Sequence, residues 1–288
     1  MFRYREMKEF YSSSNKEIKM SYSNQKIWVL FLVVFLFALG SRYSHGQGDS
    51  DLAKQTQNPL ASLISVPLQN NTNFYAGPEE GTQNVLNIQP VVPLSLSANW
   101  NLITRTIFPV ISLPESTAGG DRTNGLGDTV FTAFLSPKVS KVVWGVGPAL
   151  SLPTATNDLL ASDKWSLGPS VVLITMPGPW VIGSLFSNVW SFAGSGANDV
   201  NFFTWQYFIN YNMPGGSYFT TSPLITANWE ADSGDKWTIP FGGGIGQVFK
   251  LGKQPINLNI QAYYNVKKPE FAGSWQLRVT WAFLFPKG

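Results

Sequence analysis

The sequence predicts an all-β protein: a closed antiparallel transmembrane β-barrel of about twelve strands, behind a cleaved signal peptide. Three observations predict it. Apolar and polar residues alternate with period two in segments of about 10 to 15 residues, longer than the strands of ordinary soluble sheets. The links between these segments alternate between tight Pro/Gly turns and longer polar stretches. Charged residues make up only 13% of the chain while aromatics reach 14%, so little charge is available to cover a watery surface.

The leader comes first. Ile27–Leu39 is an uninterrupted apolar run preceded by Lys26. It is shorter than the about 20 residues a membrane-spanning helix needs, which fits the hydrophobic region of a signal peptide. Residues 1–46 are read as a signal peptide with an extended, mixed-charge start, initiated at Met1 or Met20 and cleaved after Gly40 or Gly46. Residues 47–63 form a short N-terminal segment or plug, in which Ser50 caps a helix over 50–58 that Pro59 ends. Residues 64–288 form the barrel.

The expected strands are Ile64–Phe74, Gln83–Leu96, Trp100–Leu113, Leu126–Leu135, Lys141–Leu152, Trp165–Met176, Trp180–Phe192, Val200–Tyr211, Tyr218–Trp229, Trp237–Leu251, Ile256–Val266 and Ser274–Phe285. The pattern is clearest in Ile256–Val266, where Ile256, Leu258, Ile260, Ala262, Tyr264 and Val266 share one face and Asn257, Asn259, Gln261, Tyr263 and Asn265 the other. An even strand number, short turns at the end holding both termini and longer loops at the other end are what an outer-membrane barrel requires, and lipid demands that the sheet close. A water-soluble β-sandwich also alternates with period two, but its strands are shorter and its outward faces carry charge.

Tryptophans fall at segment ends. Trp165, Trp190, Trp229, Trp237 and Trp275 flank the longer loops, and Trp100 and Trp180 follow short turns, as two interfacial girdles would. Trp205 sits mid-strand and does not fit a girdle. Charge within the strands is scarce: Arg105, Asp128, Lys141, Lys250 and Arg278, with Glu230 just past a strand end. An arginine facing lipid at the midplane costs about 2 to 4 kcal/mol, so Arg105 and Arg278 are expected in the lumen. The accompanying lumen candidates are Gln89, Asn188, Gln206, Asn210, Asn257, Asn259, Gln261 and Gln276. Such a set suits a constriction that sorts solutes by charge and hydrogen bonding; the alternative is a side-chain network that fills and stiffens a closed barrel.

Several chemistries are excluded. The chain has no cysteine and a single histidine, His45, within the leader. Thiolate nucleophiles, His-based triads and Cys/His metal sites are therefore absent from the processed chain, and no catalytic residue, metal or cofactor is expected. The net charge of +3 derives from Arg3, Arg5, Lys8, Lys16, Lys19, Lys26 and Arg42; the remainder is slightly acidic, which removes the electrostatic basis for nucleic-acid binding. Gly242-Gly243-Gly244-Ile245-Gly246 lacks the Lys-Ser/Thr of a phosphate loop and reads as a strand bend or a close packing contact.

The stretches Gln57–Asn71, Gln83–Leu96, Trp100–Ile111, Gly125–Pro137, Trp144–Thr156, Thr175–Gly183 and Asn228–Gly246 resemble a group of bacterial outer-membrane β-barrels. These are labelled transporters or likened to phenol meta-degradation pathway membrane proteins, and many carry the misnomer neuromedin U. The resemblance spans nearly all of residues 52–287. It implies a Gram-negative outer-membrane channel or transporter for small solutes, hydrophobic or aromatic compounds included. The partners it implies are outer-membrane lipid and lipopolysaccharide, the barrel-assembly machinery and a small-molecule cargo. The rival functions are a structural or adhesive barrel without an open lumen and an outer-membrane enzyme restricted to carboxylate chemistry.

Overall fold

A computed structural model describes residues 47–117, 119–139 and 142–286. The expected signal peptide, Lys141 and Lys287 lie outside the described residues. The chain runs α1 (Gln47–Gln57), β1 (Ile64–Ala76), β2 (Gly81–Ile88), β3 (Val91–Ser95), β4 (Trp100–Leu113), β5 (Thr123–Leu126), β6 (Thr129–Pro137), β7 (Val143–Leu152), β8 (Lys164–Thr175), β9 (Trp180–Gly194), β10 (Asn201–Asn212), β11 (Ser217–Thr221), β12 (Leu224–Asn228), β13 (Trp237–Leu251), β14 (Gln254–Lys267) and β15 (Trp275–Phe285).

These fifteen strands make twelve staves of one closed antiparallel barrel, because three staves are interrupted: β2 and β3 at Gln89-Pro90, β5 and β6 at Gly127-Asp128, β11 and β12 at Ser222-Pro223. Each stave pairs with its chain neighbours, and β15 closes the circle on β1 through Ile64↔Phe285 to Phe74↔Trp275. Closure leaves no sheet edge to satisfy, the condition for a strand-built wall in lipid. Every expected strand is present, with shifted ends. The stave expected from Leu126 begins at Thr123, because Thr123–Leu126 continues the pairing with β4. Asp128 does not sit in the ladder. It occupies the break after β5, where its carboxylate accepts from the Ser162 hydroxyl at 2.6 Å and the Ser162 and Ala155 N–H groups, tying down the loop after β7.

Alternation assigns the faces. Trp144, Val146 and Leu150 of β7 and Trp275, Leu277, Val279, Trp281 and Phe283 of β15 point outward; Gln276, Arg278, Thr280, Ala282 and Leu284 point inward, the last four buried. The seven girdle tryptophans lie on the outer wall. Trp100 meets Trp144 edge-on at 6.0 Å and Trp180 meets Tyr211 at 4.8 Å, both beside the tight turns, while Trp229 meets Trp237 at 5.4 Å and Trp275 meets Tyr264 at 5.0 Å near the longer loops. Trp165 and Trp190 are exposed at that same end. Trp205 also faces outward, stacked on Phe186 at 5.7 Å with its indole N–H donating to Ser184 Oγ at 2.7 Å.

The N-terminal segment packs into the interior of the barrel at the end where the tight turns lie. The helix begins at Gln47 rather than behind a Ser50 cap; the Ser50 hydroxyl instead donates to the Met213 carbonyl. Asn58 Oδ1 accepts from Leu60 N–H at 2.9 Å, an Asx turn that reverses the chain beside Pro59. The segment thereby delivers Ala53 and Leu63 against Tyr218, Val248, Ala282 and Leu284, and Leu60 against Ile103, Phe134, Val172, Ile174, Val181, Leu185 and Phe208. Burying a leucine side chain from water is worth about 1.5–3 kcal/mol, so this segment is held as part of the folded interior.

Candidate functional site

Above the N-terminal segment the interior divides into two cavities stacked along the barrel axis. The lower, of about 200 Å³, lies between the segment and the side chains of Gln89, Arg105, Gln206, Asn257, Asn259 and Gln261. The upper, of about 560 Å³, opens toward the longer loops and is walled by Gln69, Asn71, Asn73, Asn87, Gln276 and Arg278. Both walls follow from the inward positions of β1, β2, β14 and β15, which the sequence fills with amides.

Two arginines stand at the waist between the cavities. Arg105, inward on β4, donates through Nη2 to Gln89 Oε1 at 2.5 Å; Gln89 is buried in the β2–β3 break. Arg278, 3% exposed on β15, donates Nε–H to Asn71 Oδ1 at 2.9 Å, Nη1–H to the Ser222 carbonyl at 2.7 Å and Nη2–H to Gln276 Oε1 at 3.0 Å, and its guanidinium lies 5.0 Å from the centre of the Tyr263 ring. All these partners are neutral. Among the described residues the one ion pair, Lys164–Asp199, is at the loop end of the barrel. A buried cation without a carboxylate costs several kcal/mol unless hydrogen bonds replace its water; here amide oxygens, a backbone carbonyl and an aromatic face do so. The positive charge is left uncompensated toward the lumen.

A network surrounds the waist. The Ser222 hydroxyl bonds Gln261 Oε1 at 3.0 Å, Tyr263 OH also donates to Gln261, and Gln261 Nε2 donates to Asn259 Oδ1 at 2.9 Å. Gln276 Nε2 donates to Asn73 Oδ1 at 2.9 Å, and Asn73 Nδ2 to Gln83 Oε1 at 2.8 Å. Lower down, Tyr218 OH donates to Asn257 Oδ1 at 2.6 Å, and Asn257 Nδ2 reaches Thr56 Oγ1 of α1 at 3.1 Å. Asn210, buried, lines the lower cavity, and Gln206 donates to the Ser222 carbonyl at 3.3 Å.

The structure therefore gathers nine of the ten lumen candidates inside the barrel. Asn188 is the exception and is corrected: it pairs with Phe203 and lies on the outward face of β9, where its Oδ1 accepts the Trp229 indole N–H at 3.0 Å and its Nδ2 donates to Asn201 at 3.0 Å. An amide is tolerated there because both of its polar ends are occupied at the tryptophan-rich end of the wall. The sequence reading missed Asn71, Asn73, Ser222 and Tyr263. Tyr263 shares a face with Asn257, Asn259 and Gln261 in the sequence, so strict alternation points it inward, although it is not among the lumen candidates. In β1, by contrast, the polar run Gln69–Asn73 fills both faces and conceals the register; Asn70 and Thr72 bond Asn84 on the outer wall.

The Gly242–Gly246 run is explained by the same geometry. Gly242, Gly244 and Gly246 face inward on β13, and a side chain at Gly246 would collide with the Tyr218 ring. The glycines make room for the tyrosine that bonds Asn257.

Comparison with known proteins agrees with this architecture. The family described as "Putative MetA-pathway of phenol degradation" matches residues 70–281. Among solved structures, an outer membrane channel from Pseudomonas putida F1 aligns with a TM-score of 0.58 at 15% identity, over 77% of this chain and 94% of its own. Outer membrane phospholipase A from Escherichia coli aligns with a TM-score of 0.43 at 12% identity, over 83% and 98%. The CymD monoaromatic hydrocarbon channel aligns with a TM-score of 0.44 at 8% identity, over 85% and 94%. No curated protein sequence matches the chain.

Proposed function

Because the chain belongs to the phenol-degradation MetA-pathway family, we propose that it is a bacterial outer-membrane channel for passive entry of small solutes, aromatic compounds among them. The observation that carries this reading is the interior: two stacked cavities whose polar wall is built from amides, hydroxyls and two guanidinium groups with neutral partners. Such a wall binds weakly and at several places, as passage requires. It supplies hydrogen-bond donors to a phenolic or carboxylate group while the apolar inward residues Val85, Leu113 and Leu224 offer a surface to a ring. The Pseudomonas putida protein with the same barrel is itself described as an outer membrane channel.

In this reading the tight-turn end faces the periplasm, the leader directs export, the barrel-assembly machinery inserts the chain, and outer-membrane lipid and lipopolysaccharide cover the outward faces. The chain acts by passage rather than catalysis: the lumen presents groups that bind and orient a solute, with no histidine or cysteine among the described residues. Planar-bilayer recording tests the reading. Discrete conductance steps that decrease when a hydroxylated aromatic is added support it.

A second reading, a structural barrel with no passage, is favoured by one observation, the packing of Ala53, Leu60 and Leu63 into the tight-turn end. It predicts a silent bilayer together with an intact, heat-modifiable barrel.

A further inference from the structure

The barrel ladder skips pairs at several staves, and its longest unpaired interval lies between β13 and the stave made of β11 and β12. β11 pairs with β13 from Ser217↔Gln247 to Thr220↔Gly244, and β12 pairs with β13 only through Thr226↔Thr238 and Ala227↔Trp237. Between them residues 221–225 and 239–243 face each other without ladder pairs. Pro223 and Pro240 occupy this interval and bring no N–H to it, and Gly242 and Gly243 bring no side chain. In lipid such a break survives only where its polar groups are satisfied from elsewhere. They are: the Ser222 N–H donates to Tyr263 OH at 2.9 Å, the Ser222 carbonyl accepts from Arg278 at 2.7 Å, and Thr221 Oγ1 donates to the Gly242 carbonyl at 2.7 Å. The backbone of Ser222 is thus held by Tyr263 of β14 and Arg278 of β15, which reach across the lumen side of β13, and by Gln206 of β10.

The break lies between the interior and a hollow on the outer wall. Ser222 and Thr220 line the lower cavity, and Leu224, Pro240 and Arg278 line the upper. Outside, Trp180, Ile209, Tyr211, Phe219 and Thr221 form an apolar hollow of about 530 Å³ that Thr220 and Gly244 also line. Thr220 therefore borders both spaces, and the barrier there is one backbone thick. Along the axis, the N-terminal segment packs against inward residues at the tight-turn end and narrows that way out.

Resting on the passage reading above, we propose that the interval between Ser222 and Gly242 is a lateral port through which apolar aromatic solutes leave the lumen for the lipid of the membrane, with Arg278 and Tyr263 as the clasp that holds it shut. Opening separates no ladder pair between these strands and replaces only the side-chain hydrogen bonds that hold Thr221 and Ser222, so it costs less than parting two fully paired strands. The apolar hollow receives the solute without passage through water.

A reversible staple tests the port. A Cβ on Gly243 would lie 3.3 Å from Thr221 Cβ and 2.8 Å from the Thr220 carbonyl oxygen, so a small outward shift of the Gly243 backbone relieves the contact and brings the two Cβ atoms to a disulfide separation; the double variant Thr221→Cys, Gly243→Cys is crosslinked by oxidation, and loss of free thiol verifies the bond. The probe is N-phenyl-1-naphthylamine, an apolar aromatic dye that fluoresces on entering lipid, applied to intact cells whose lipopolysaccharide leaflet excludes it. Dye entry is expected to fall to that of cells lacking the protein when the staple is oxidised and to return on reduction, while Tyr263→Phe, which removes one clasp bond, raises it. Heat-modifiable migration of each variant establishes that the barrel is folded. Dye entry that the closed staple and Tyr263→Phe both leave unchanged overturns the lateral port and leaves the channel reading standing. Absence of dye entry through the wild-type protein overturns the passage of apolar solutes, and the port with it.

Discussion

The Tyr218 ring lies in the space that a side chain at Gly246 would occupy, and its hydroxyl ends 2.6 Å from Asn257 Oδ1. The Tyr218–Asn257 bond passes over Gly246 of β13 to join β11 to β14 and, through the Asn257–Thr56 bond, ties both to the N-terminal helix. Gly246→Val must displace the ring or the strand; overpacking of this kind costs about 1–3 kcal/mol. Tyr218→Phe keeps the ring and loses one buried hydrogen bond, leaving Asn257 Oδ1 short of a partner, at about 1–3 kcal/mol. Urea unfolding in lipid vesicles, followed by tryptophan fluorescence, is expected to show the valine variant unfolding at lower denaturant concentration, and equal midpoints for Gly246→Val and the wild type contradict the packing.

The N-terminal segment packs into the tight-turn end through Leu60, set among Ile103, Phe134, Val172 and Phe208. Leu60→Ala leaves a hole in that cluster, a loss of about 2–5 kcal/mol that loosens the segment without altering the wall. Deleting residues 47–63 should raise single-channel conductance several-fold, and Leu60→Asp should produce flickering between the closed and the enlarged state. A deletion variant that is folded but conducts as the wild type does would show that solutes bypass this end altogether.

How much was legible in the sequence depends on how cleanly each strand alternates. β14 and β15 carry apolar residues on one face and amides or small residues on the other, so spacing points Asn257, Gln261 and Gln276 inward, and the cost of a guanidinium in lipid places Arg278 with them. β1 carries polar residues on both faces from Gln69 to Asn73, so nothing in its spacing singled out Asn71 as the partner of Arg278. Asn188 misled for a related reason: an amide within a membrane strand implies a polar lumen, yet here the Trp229 indole and Asn201 satisfy it on the outer wall. The role of Ser222 was invisible because it rests on its backbone, whose partners come from strands distant in sequence.

The alternation of tight turns and longer loops fixes an orientation that labelling can check. Asn157 and Ser233 are exposed in the loops after β7 and β12, and Gly178 is exposed in the turn between β8 and β9. With the longer loops outside the cell, Asn157→Cys and Ser233→Cys react with a membrane-impermeant maleimide on whole cells, and Gly178→Cys reacts only after the outer membrane is broken. The opposite pattern reverses the assigned orientation.

Charge selectivity follows from the waist. Arg105 and Arg278 have neutral partners, and a narrow low-dielectric passage focuses their positive potential, so anions are expected to pass more readily than cations. Arg105→Gln is the cleaner probe, because Arg105 bonds a single side chain, whereas Arg278 also holds the Ser222 carbonyl and its replacement disturbs the wall. Under a salt gradient Arg105→Gln should move the reversal potential toward that of a cation-preferring pore while conductance stays within about two-fold, the geometry of the waist being nearly conserved. Arg278→Gln should move it in the same direction and, by leaving the Ser222 carbonyl with Gln206 alone, also increase current noise. If Arg105→Gln leaves the reversal potential unchanged in an open pore, the guanidinium groups serve to brace β3, β4, β11 and β15 against one another, and selectivity is set instead by the loop-lined mouth, where Glu115 is the charged group beside Pro114 and Ser116.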